Sequence, residues 1–356
     1  MHHKETVYQI IKHIETIDSN FAINNESLEK EIEKSDDHQS TAIKILSIIG
    51  GILASFAFLG FLFLTGIYDS DYGLLFFGIL SIVGSIVINK LFEKTIMDTL
   101  SVSAYIIGFI LLGLAFAKMD FSTNIICILM IILALVSLLI TQNYVVSFIA
   151  ILIINGAILV LIAENEIYQS LQIYTSVLAL IITYFYTKEA AIITKNKSWN
   201  RLYSPARIAF TFAFLVGLSI LTYKNFTPIS VAHVWISSIF IIAAILYVIS
   251  LILKKLLITN TTHKWLIYVG STISLGLTAL SPAISGAILI ILLSFLVNYK
   301  STLIIGIIAF IVFISQFYYD LNFTLLTKSI LLLSSGVLFL VFYFFTHKKL
   351  SSNEKI

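Results

Sequence analysis

The chain of 356 residues is 59% hydrophobic and 12% charged, and its mean hydropathy is +1.00. A soluble domain is nearer half apolar and a quarter charged, so this composition excludes an ordinary soluble fold and indicates that lipid is the solvent. The formal net charge of +3 is too small to indicate a nucleic-acid partner. The single cysteine, Cys127, excludes an intrachain disulfide.

Residues 1–41 are the most charged part of the chain and are predicted to form a cytoplasmic helical head. Apolar residues between Val7 and Ile17 recur at helical spacing, and Asn25 is placed to cap a second short helix. The pattern predicts a small helical cap. A docking site for a partner protein is the alternative.

From residue 42 onward, apolar runs alternate with short polar breaks. This pattern predicts an all-α, polytopic integral membrane protein with about twelve transmembrane helices. Ten or eleven remain open, because several runs lie at or below the short end of the roughly 17–25 residues that a span needs. The predicted spans are residues 43–67, 73–89, 99–117, 124–140, 144–163, 171–187, 208–223, 232–253, 265–281, 284–298, 302–319 and 325–346.

The basic residues are distributed unevenly over the predicted loops. With the N-terminus inside, all of the 22 lysines and arginines lie on the inner side except Lys118, Lys224 and Lys328. The positive-inside rule requires this asymmetry, so we expect both the N- and C-termini to be cytoplasmic.

The predicted domains are the head at 1–41, a transmembrane helical domain at 42–346 and a cytoplasmic tail at 347–356. The longest inner loop between spans, the predicted cytoplasmic loop 188–207, divides the spans into six and six. Halves at 42–187 and 208–346 would follow, as in many transporters, although no residue-level repeat relates them.

Four polar positions in or beside the middle spans are candidates for function. Asn155, near the centre of span five, predicts either an interhelical hydrogen bond or the wall of a polar cavity, since an unpaired amide is costly in hydrocarbon. Ser274 and Thr278 belong to a polar ninth span that ends near Pro282, which predicts a tight turn or a broken helix that lines a cavity. His233, at the outer end of span eight, is either a hydrogen-bonded edge residue or a ligand or proton relay.

Lys328 and Asp320 are candidates near the end of the chain. Lys328 lies about 5–6 Å inside span twelve at 1.5 Å per residue, which is within reach of snorkelling towards the interface. Asp320 lies at the outer end of the same connection. An anchored, snorkelling lysine and a buried lysine–aspartate couple that faces a cavity are the two interpretations.

The sequence shows no metal-ligand spacing, nucleophile elbow or phosphate-binding loop. We therefore assign no catalytic, cofactor or metal residues and favour a role other than catalysis. The leading hypothesis is a transport-like or envelope-associated membrane protein, which requires a cavity that reaches Lys328, Asn155 or the polar ninth span. The alternatives are a membrane scaffold for a partner protein and a membrane enzyme that acts on a lipid or lipid-linked substrate.

Two stretches resemble an uncharacterised family of bacterial multi-span membrane proteins, catalogued as a domain of unknown function. They are Ser204–Pro205–Ala206–Arg207 and, at the end of the chain, Phe317–Tyr318–Tyr319–Asp320–Leu321 with Thr324–Leu325–Leu326–Thr327–Lys328–Ser329 and Gly336. The resemblance covers residues from about Ile43 to Phe345. It implies a location in the cytoplasmic (inner) membrane of a bacterium, contact with the lipid bilayer and a GDYXXLXY-type partner protein, and it supplies no catalytic residues.

Overall fold

The computed structural model describes residues 41–91, 95–141, 143–222, 235–256, 261–276, 278, 281–320, 326 and 330. These residues form α-helices and one short 3-10 turn at Ile67–Asp69, with no strand among them. The helices are α1 Thr41–Leu64, α2 Asp71–Leu91, α3 Thr95–Lys118, α4 Thr123–Ile140, α5 Tyr144–Glu164, α6 Ser170–Thr187, α7 Glu189–Ile193, α8 Lys197–Thr222, α9 Trp235–Lys255, α10 Thr261–Gly276, α11 Pro282–Val297 and α12 Lys300–Asp320.

Eight helices in the described part of the chain are long and apolar enough to cross a membrane, namely α2, the Leu100–Lys118 part of α3, α4, α5, α6, α8, α9 and α12. Ile267–Gly276 and α11 are shorter apolar helices. An apolar chain in lipid must satisfy its backbone polar groups internally, and helices do so within one segment. The predicted all-helical, multi-pass membrane fold is therefore confirmed.

The first eleven predicted spans each overlap a helix, in the predicted order. The head at 1–41, apart from Thr41, lies outside the described residues, as do the tail at 347–356 and all but two residues of the predicted span 325–346. The total number of spans and the cytoplasmic placement of the termini remain predictions.

The predicted loop 188–207 differs from the structure, because most of this segment is helical. It contains α7, and α8 begins at Lys197 rather than at residue 208. Its polar residues lower the local hydropathy, yet one face carries the buried side chains of Tyr203, Ala206 and Arg207. Hydropathy alone therefore placed the start of this span too late.

The described residues fall into two compact units that divide between Leu111 and Leu112, within α3. In the first unit, α2 and α3 approach closely where small residues meet. Ser101 Oγ donates to the Ser85 carbonyl at 2.9 Å, and a Cβ on Gly108 would lie 3.0 Å from the Gly78 carbonyl oxygen. Small residues at such a crossing allow helix backbones to pack in lipid.

Helix α8 is the centre of the second unit. It packs against α5, α6, α11 and α12, and its Phe214 and Leu218 are fully buried. The approach of α11 depends on Gly286, because a Cβ there would lie 2.3 Å from Leu218 Cδ1. Local signals fix the ends of the neighbouring helices: the Asn143 side chain accepts bonds from Val145 and Val146 at the start of α5.

Candidate functional site

Helices α5 and α6 follow each other in sequence but touch only weakly, whereas both pack on α8. The space between them is a groove formed by two adjoining cavities of about 470 and 460 Å³. The cavities share the lining residues Ile154, Asn155, Ile181 and Phe210, so they adjoin at these four side chains and together form the passage between the two helices. We call this passage the α5–α6 groove.

The α5–α6 groove is lined mainly by apolar side chains and opens on the surface of the second unit. Ile173 and Tyr184 line it from α6 and are 66% and 56% exposed. It follows α6 from Ser170 to Tyr184, which is about 21 Å at 1.5 Å per residue. Apolar residues this exposed on a membrane-spanning helix face lipid, so the groove is accessible from the bilayer.

A hydrogen-bonded pair crosses the groove at its middle. Tyr174 on α6 donates its hydroxyl proton to Asn155 Oδ1 on α5 at 3.1 Å, and Asn155 Nδ2 donates to the Ile151 carbonyl at 2.8 Å. Asn155 is 5% exposed and Tyr174 is 9% exposed. Since α5 and α6 share few other contacts, this bond joins the two walls of the groove.

One end of the groove carries a cation and an indole. Lys195 and Trp199 both line this end and are exposed, and Lys195 Nζ lies 5.9 Å from the centre of the Trp199 ring. The other end reaches Ser170. The groove is therefore amphipathic along its length, with its positive charge at one mouth.

A buried arginine lies on the other side of Phe185, which lines the groove and stacks on Tyr203 with ring centroids 5.9 Å apart. Arg207 is only 6% exposed. Its guanidinium carbon lies 3.4 Å from the ring centroid of Tyr299, 5.4 Å from that of Tyr186 and 5.7 Å from that of Tyr203. We call Arg207 with these rings the arginine box.

Each hydroxyl group of the arginine box has a hydrogen-bond partner outside it. Tyr186 pairs with Thr211 Oγ1 at 3.4 Å, and Tyr203 donates to the Phe185 carbonyl at 3.1 Å. Tyr299 donates to Glu189 Oε1. The buried Nε and Nη1 atoms of Arg207 have no hydrogen-bond partner among the residues that the structure describes.

Tyr299 lies between α11 and α12, outside the membrane-spanning helices. Burial raises its pKa, and the hydrogen bond to Glu189 raises it as well, whereas the positive charge of Arg207 acts in the opposite direction. The phenol is therefore protonated at neutral pH and serves as a hydrogen-bond donor to Glu189.

The structure separates the polar positions that the sequence singled out. Asn155 lines both cavities of the groove, whereas Asp320, Ser274 and Thr278 line neither. Asp320 accepts from Gln316 Nε2 at 3.1 and 3.2 Å on the two carboxylate oxygens. Lys328 and His233 lie outside the described residues, so their roles stay predictions.

Ser274 and Thr278, the two candidate residues of the ninth predicted span, lie in different environments. Ser274 is exposed on α10. Thr278 Oγ1 donates to the Leu275 carbonyl at 2.7 Å and lies 2.7 Å from Ser285 Oγ, which ties the end of α10 to the start of α11. The choice between a tight turn and a broken helix for this stretch stays a prediction.

The arginine box and the cationic mouth of the groove were missed from the sequence. Arg207 and Lys195 had been assigned to a loop, where charges are ordinary. One signal was present: Tyr203, Arg207 and Thr211 recur every four residues and so share a helix face. Within the described residues, no cluster of three His, Cys, Asp or Glu side chains is arranged to hold a metal ion.

No curated protein and no solved structure matches the chain. A family model does match, and it confirms the predicted resemblance to a domain of unknown function; the bacterial origin and the GDYXXLXY-type partner remain predictions. Because that model, described as domain of unknown function DUF4401, covers residues 41–349, the chain belongs to this family.

Proposed function

We propose that the protein is a transport-like membrane protein that admits a single-chain anionic amphiphile from the bilayer into the α5–α6 groove. The observation that carries this function is the pair of adjoining, mainly apolar cavities between Ser170 and Lys195, open towards lipid and charged at one mouth. It meets the requirement that a cavity reach Asn155.

The size of the groove fits a hydrocarbon tail. Each cavity, at about 470 and 460 Å³, lies within the range of about 300–1,000 Å³ that is usual for small-molecule sites. The groove length of about 21 Å exceeds the depth of one leaflet, which is about half of the 30 Å hydrocarbon core. An acyl chain that leaves its leaflet can therefore be enclosed along its whole length.

The head group decides which amphiphile binds. A tail gains little by moving from lipid to the groove, because lipid tails are as apolar as the groove lining. Selectivity must therefore come from polar groups. The Lys195 ammonium attracts a carboxylate or phosphate, and Trp199 is the type of residue that marks the level of the lipid head groups.

The Asn155–Tyr174 pair maintains the groove rather than selecting its occupant. The Tyr174 hydroxyl and the Asn155 amide are bonded to each other and to the Ile151 carbonyl. A passing tail therefore meets few unsatisfied polar atoms at the waist. The positive-inside prediction places the Lys195 mouth at the cytoplasmic face, so we expect the head group on that side, in the inner membrane of a bacterium.

Photolabelling in lipid nanodiscs tests this function. A palmitic acid analogue with a diazirine in its tail is compared with the corresponding alcohol, and labelled peptides are identified by mass spectrometry. We expect label on α5, α6 and α8, with the acid preferred over the alcohol. Lys195→Gln should remove the preference, and Ile181→Trp, at the waist shared by both cavities, should reduce labelling severalfold.

The control is Ile239→Trp, the same substitution on an exposed face of α9 that lines neither cavity. It should leave labelling unchanged. Equal labelling of all lipid-facing helices, unaffected by Ile181→Trp, would contradict the proposed function.

A further inference from the structure

We infer that Arg207 is the centre of an oxyanion-binding site that takes a carboxylate or a phosphate. The site is independent of the groove, because Phe185 and Tyr203 stand between the two. The starting point is a charge that is 6% exposed and has two unpartnered donors, Nε and Nη1.

Taking a charged group out of water is costly unless a counter-charge or hydrogen bonds compensate. The faces of Tyr186, Tyr203 and Tyr299 supply part of that compensation through cation–π contact. They supply no acceptor to Nε or Nη1, which have no hydrogen-bond partner among the described residues. The described residues around Arg207 therefore leave Nε and Nη1 without a hydrogen-bond acceptor.

An oxyanion is the ligand whose chemistry fits. The guanidinium is planar and offers its donors in forks that match the paired oxygens of a carboxylate or phosphate. Stacking on Tyr299 at 3.4 Å fixes the plane of the guanidinium and so orients its donors in advance. A preorganised donor set loses less conformational entropy on binding than a free arginine does.

The charges around the box favour an anion, with one exception. The described cations at this end of α6 and α8 are Lys188, Lys195, Lys197 and Arg201. Glu189 is a carboxylate beside the arginine box, and its Oε1 accepts a hydrogen bond from Tyr299. Its negative charge weakens anion binding, so we expect Glu189→Gln to tighten it.

The Tyr299 ring covers the guanidinium of Arg207. It is half-buried, lies over Arg207, and belongs to the short connection between α11 and α12, where Asn298 adopts a left-handed conformation with φ 64°. Tyr299→Phe keeps the ring on Arg207 and removes only the hydroxyl, so it serves as the matched control for the stacking contact.

The test measures binding of radiolabelled inorganic phosphate and of acetate to the purified full-length protein in phosphatidylcholine nanodiscs at constant ionic strength. We expect saturable binding that Arg207→Gln weakens by about ten- to a hundredfold, the loss of a charge-assisted hydrogen bond. Arg207→Lys keeps the charge without the fork and should show an intermediate loss. Glu189→Gln should bind more tightly, and Tyr299→Phe should retain binding.

A second experiment distinguishes a free anion from a phospholipid head group as the ligand of Arg207. Nanodiscs that contain phosphatidic acid are compared with pure phosphatidylcholine, with thermal unfolding as the readout. Stabilisation by phosphatidic acid that depends on Arg207, without binding of free phosphate, identifies a lipid head group as the ligand. If neither free anions nor phosphatidic acid acts through Arg207 while Glu189→Gln and Arg207→Lys remain folded, the inference is overturned and the arginine box is a packing element.

Discussion

The hydrogen bond that joins the walls of the α5–α6 groove predicts strong coupling between Asn155 and Tyr174. In Tyr174→Phe the buried Asn155 Oδ1 loses its donor, and in Asn155→Leu the buried Tyr174 hydroxyl loses its acceptor. Leaving a buried polar group unsatisfied costs about 1–3 kcal/mol, so we expect each single variant to lose that much stability. The double variant should lose less than the sum, because both partners are then apolar.

The expected coupling energy follows from the bond itself. Interhelical hydrogen bonds within membranes average about 0.6 kcal/mol and reach about 1.7 kcal/mol. The Asn155–Tyr174 bond, at 3.1 Å between side chains that are 5% and 9% exposed, should lie in the upper half of that range. The assay is reversible unfolding in mixed micelles, followed by circular dichroism, for the wild type, both single variants and the double variant.

The chain offers a matched control in Asn124 and Asn165. These side chains exchange reciprocal bonds of 3.1 and 2.8 Å between α4 and the end of α5, and both bonds are exposed. Because water competes for exposed amides, a double-mutant cycle on Asn124 and Asn165 should give a smaller coupling energy than the cycle on Asn155 and Tyr174. Strictly additive effects at Asn155 and Tyr174 would refute the bond, and with it the explanation of how the groove walls are joined.

Three further predictions concern packing and charge. Gly286→Ala should cost about 1–3 kcal/mol in the same unfolding assay, because the added Cβ meets the Leu218 side chain. The control is Gly156→Ala, where the added Cβ meets open space, and it should be neutral or stabilising by up to about 1 kcal/mol. Equal effects of the two substitutions would argue against the close packing of α8 and α11. Arg207→Met should unfold at the same or a higher temperature than the wild type in anion-free buffer, because it removes a buried charge whose Nε and Nη1 donors have no partner. A large loss of stability would show that the charge is already compensated. Because the pKa of Tyr299 is raised, its contribution to stability is present below the ordinary pKa of about 10 and is lost as pH rises through the raised pKa. Tyr299→Phe should therefore lose less stability than the wild type between pH 8 and 12 in unfolding measurements. Identical stability curves for the two proteins would contradict this.

The sequence predicts the helices well where apolar runs are bounded by polar breaks. The span predicted at 124–140 is α4, Thr123–Ile140, and the span predicted at 144–163 is α5, Tyr144–Glu164. Both helices are mostly apolar, and in lipid such a run has few alternatives to a helix. The sequence also predicts that Asn155 has a hydrogen-bond partner, because an amide at the centre of an apolar helix is costly when it is unpaired.

The first turns of α8 were not predictable from hydropathy. The stretch from Lys197 to Arg207 alternates charged and apolar residues, and an arginine in such a stretch is usually solvated. Its burial depends on Tyr186 and Tyr299, which lie 21 residues before and 92 residues after it in the sequence and come together only when α6, α8 and α11 pack. Contacts of this kind carry no local signal.

The sequence also does not predict which helices pack together, because those contacts join residues that are far apart in the chain. The predicted halves meet at 188–207, whereas the core of the second unit joins residues from both sides of that segment, with Leu178 and Ile182 packed with Phe214 and Ile241. The compact units divide instead between Leu111 and Leu112. Hydropathy shows which segments cross the membrane but not which of them pack together, so the groove between α5 and α6 could not be predicted.

A high-resolution map of the protein in nanodiscs that contain palmitate tests the central claim most directly. The α5–α6 groove is predicted to hold elongated density from Ser170 to Lys195, with the carboxylate of the ligand within hydrogen-bonding distance of Lys195 Nζ. Closure of α5 onto α6, or a groove that stays empty while palmitate is ordered elsewhere on the surface, would contradict it.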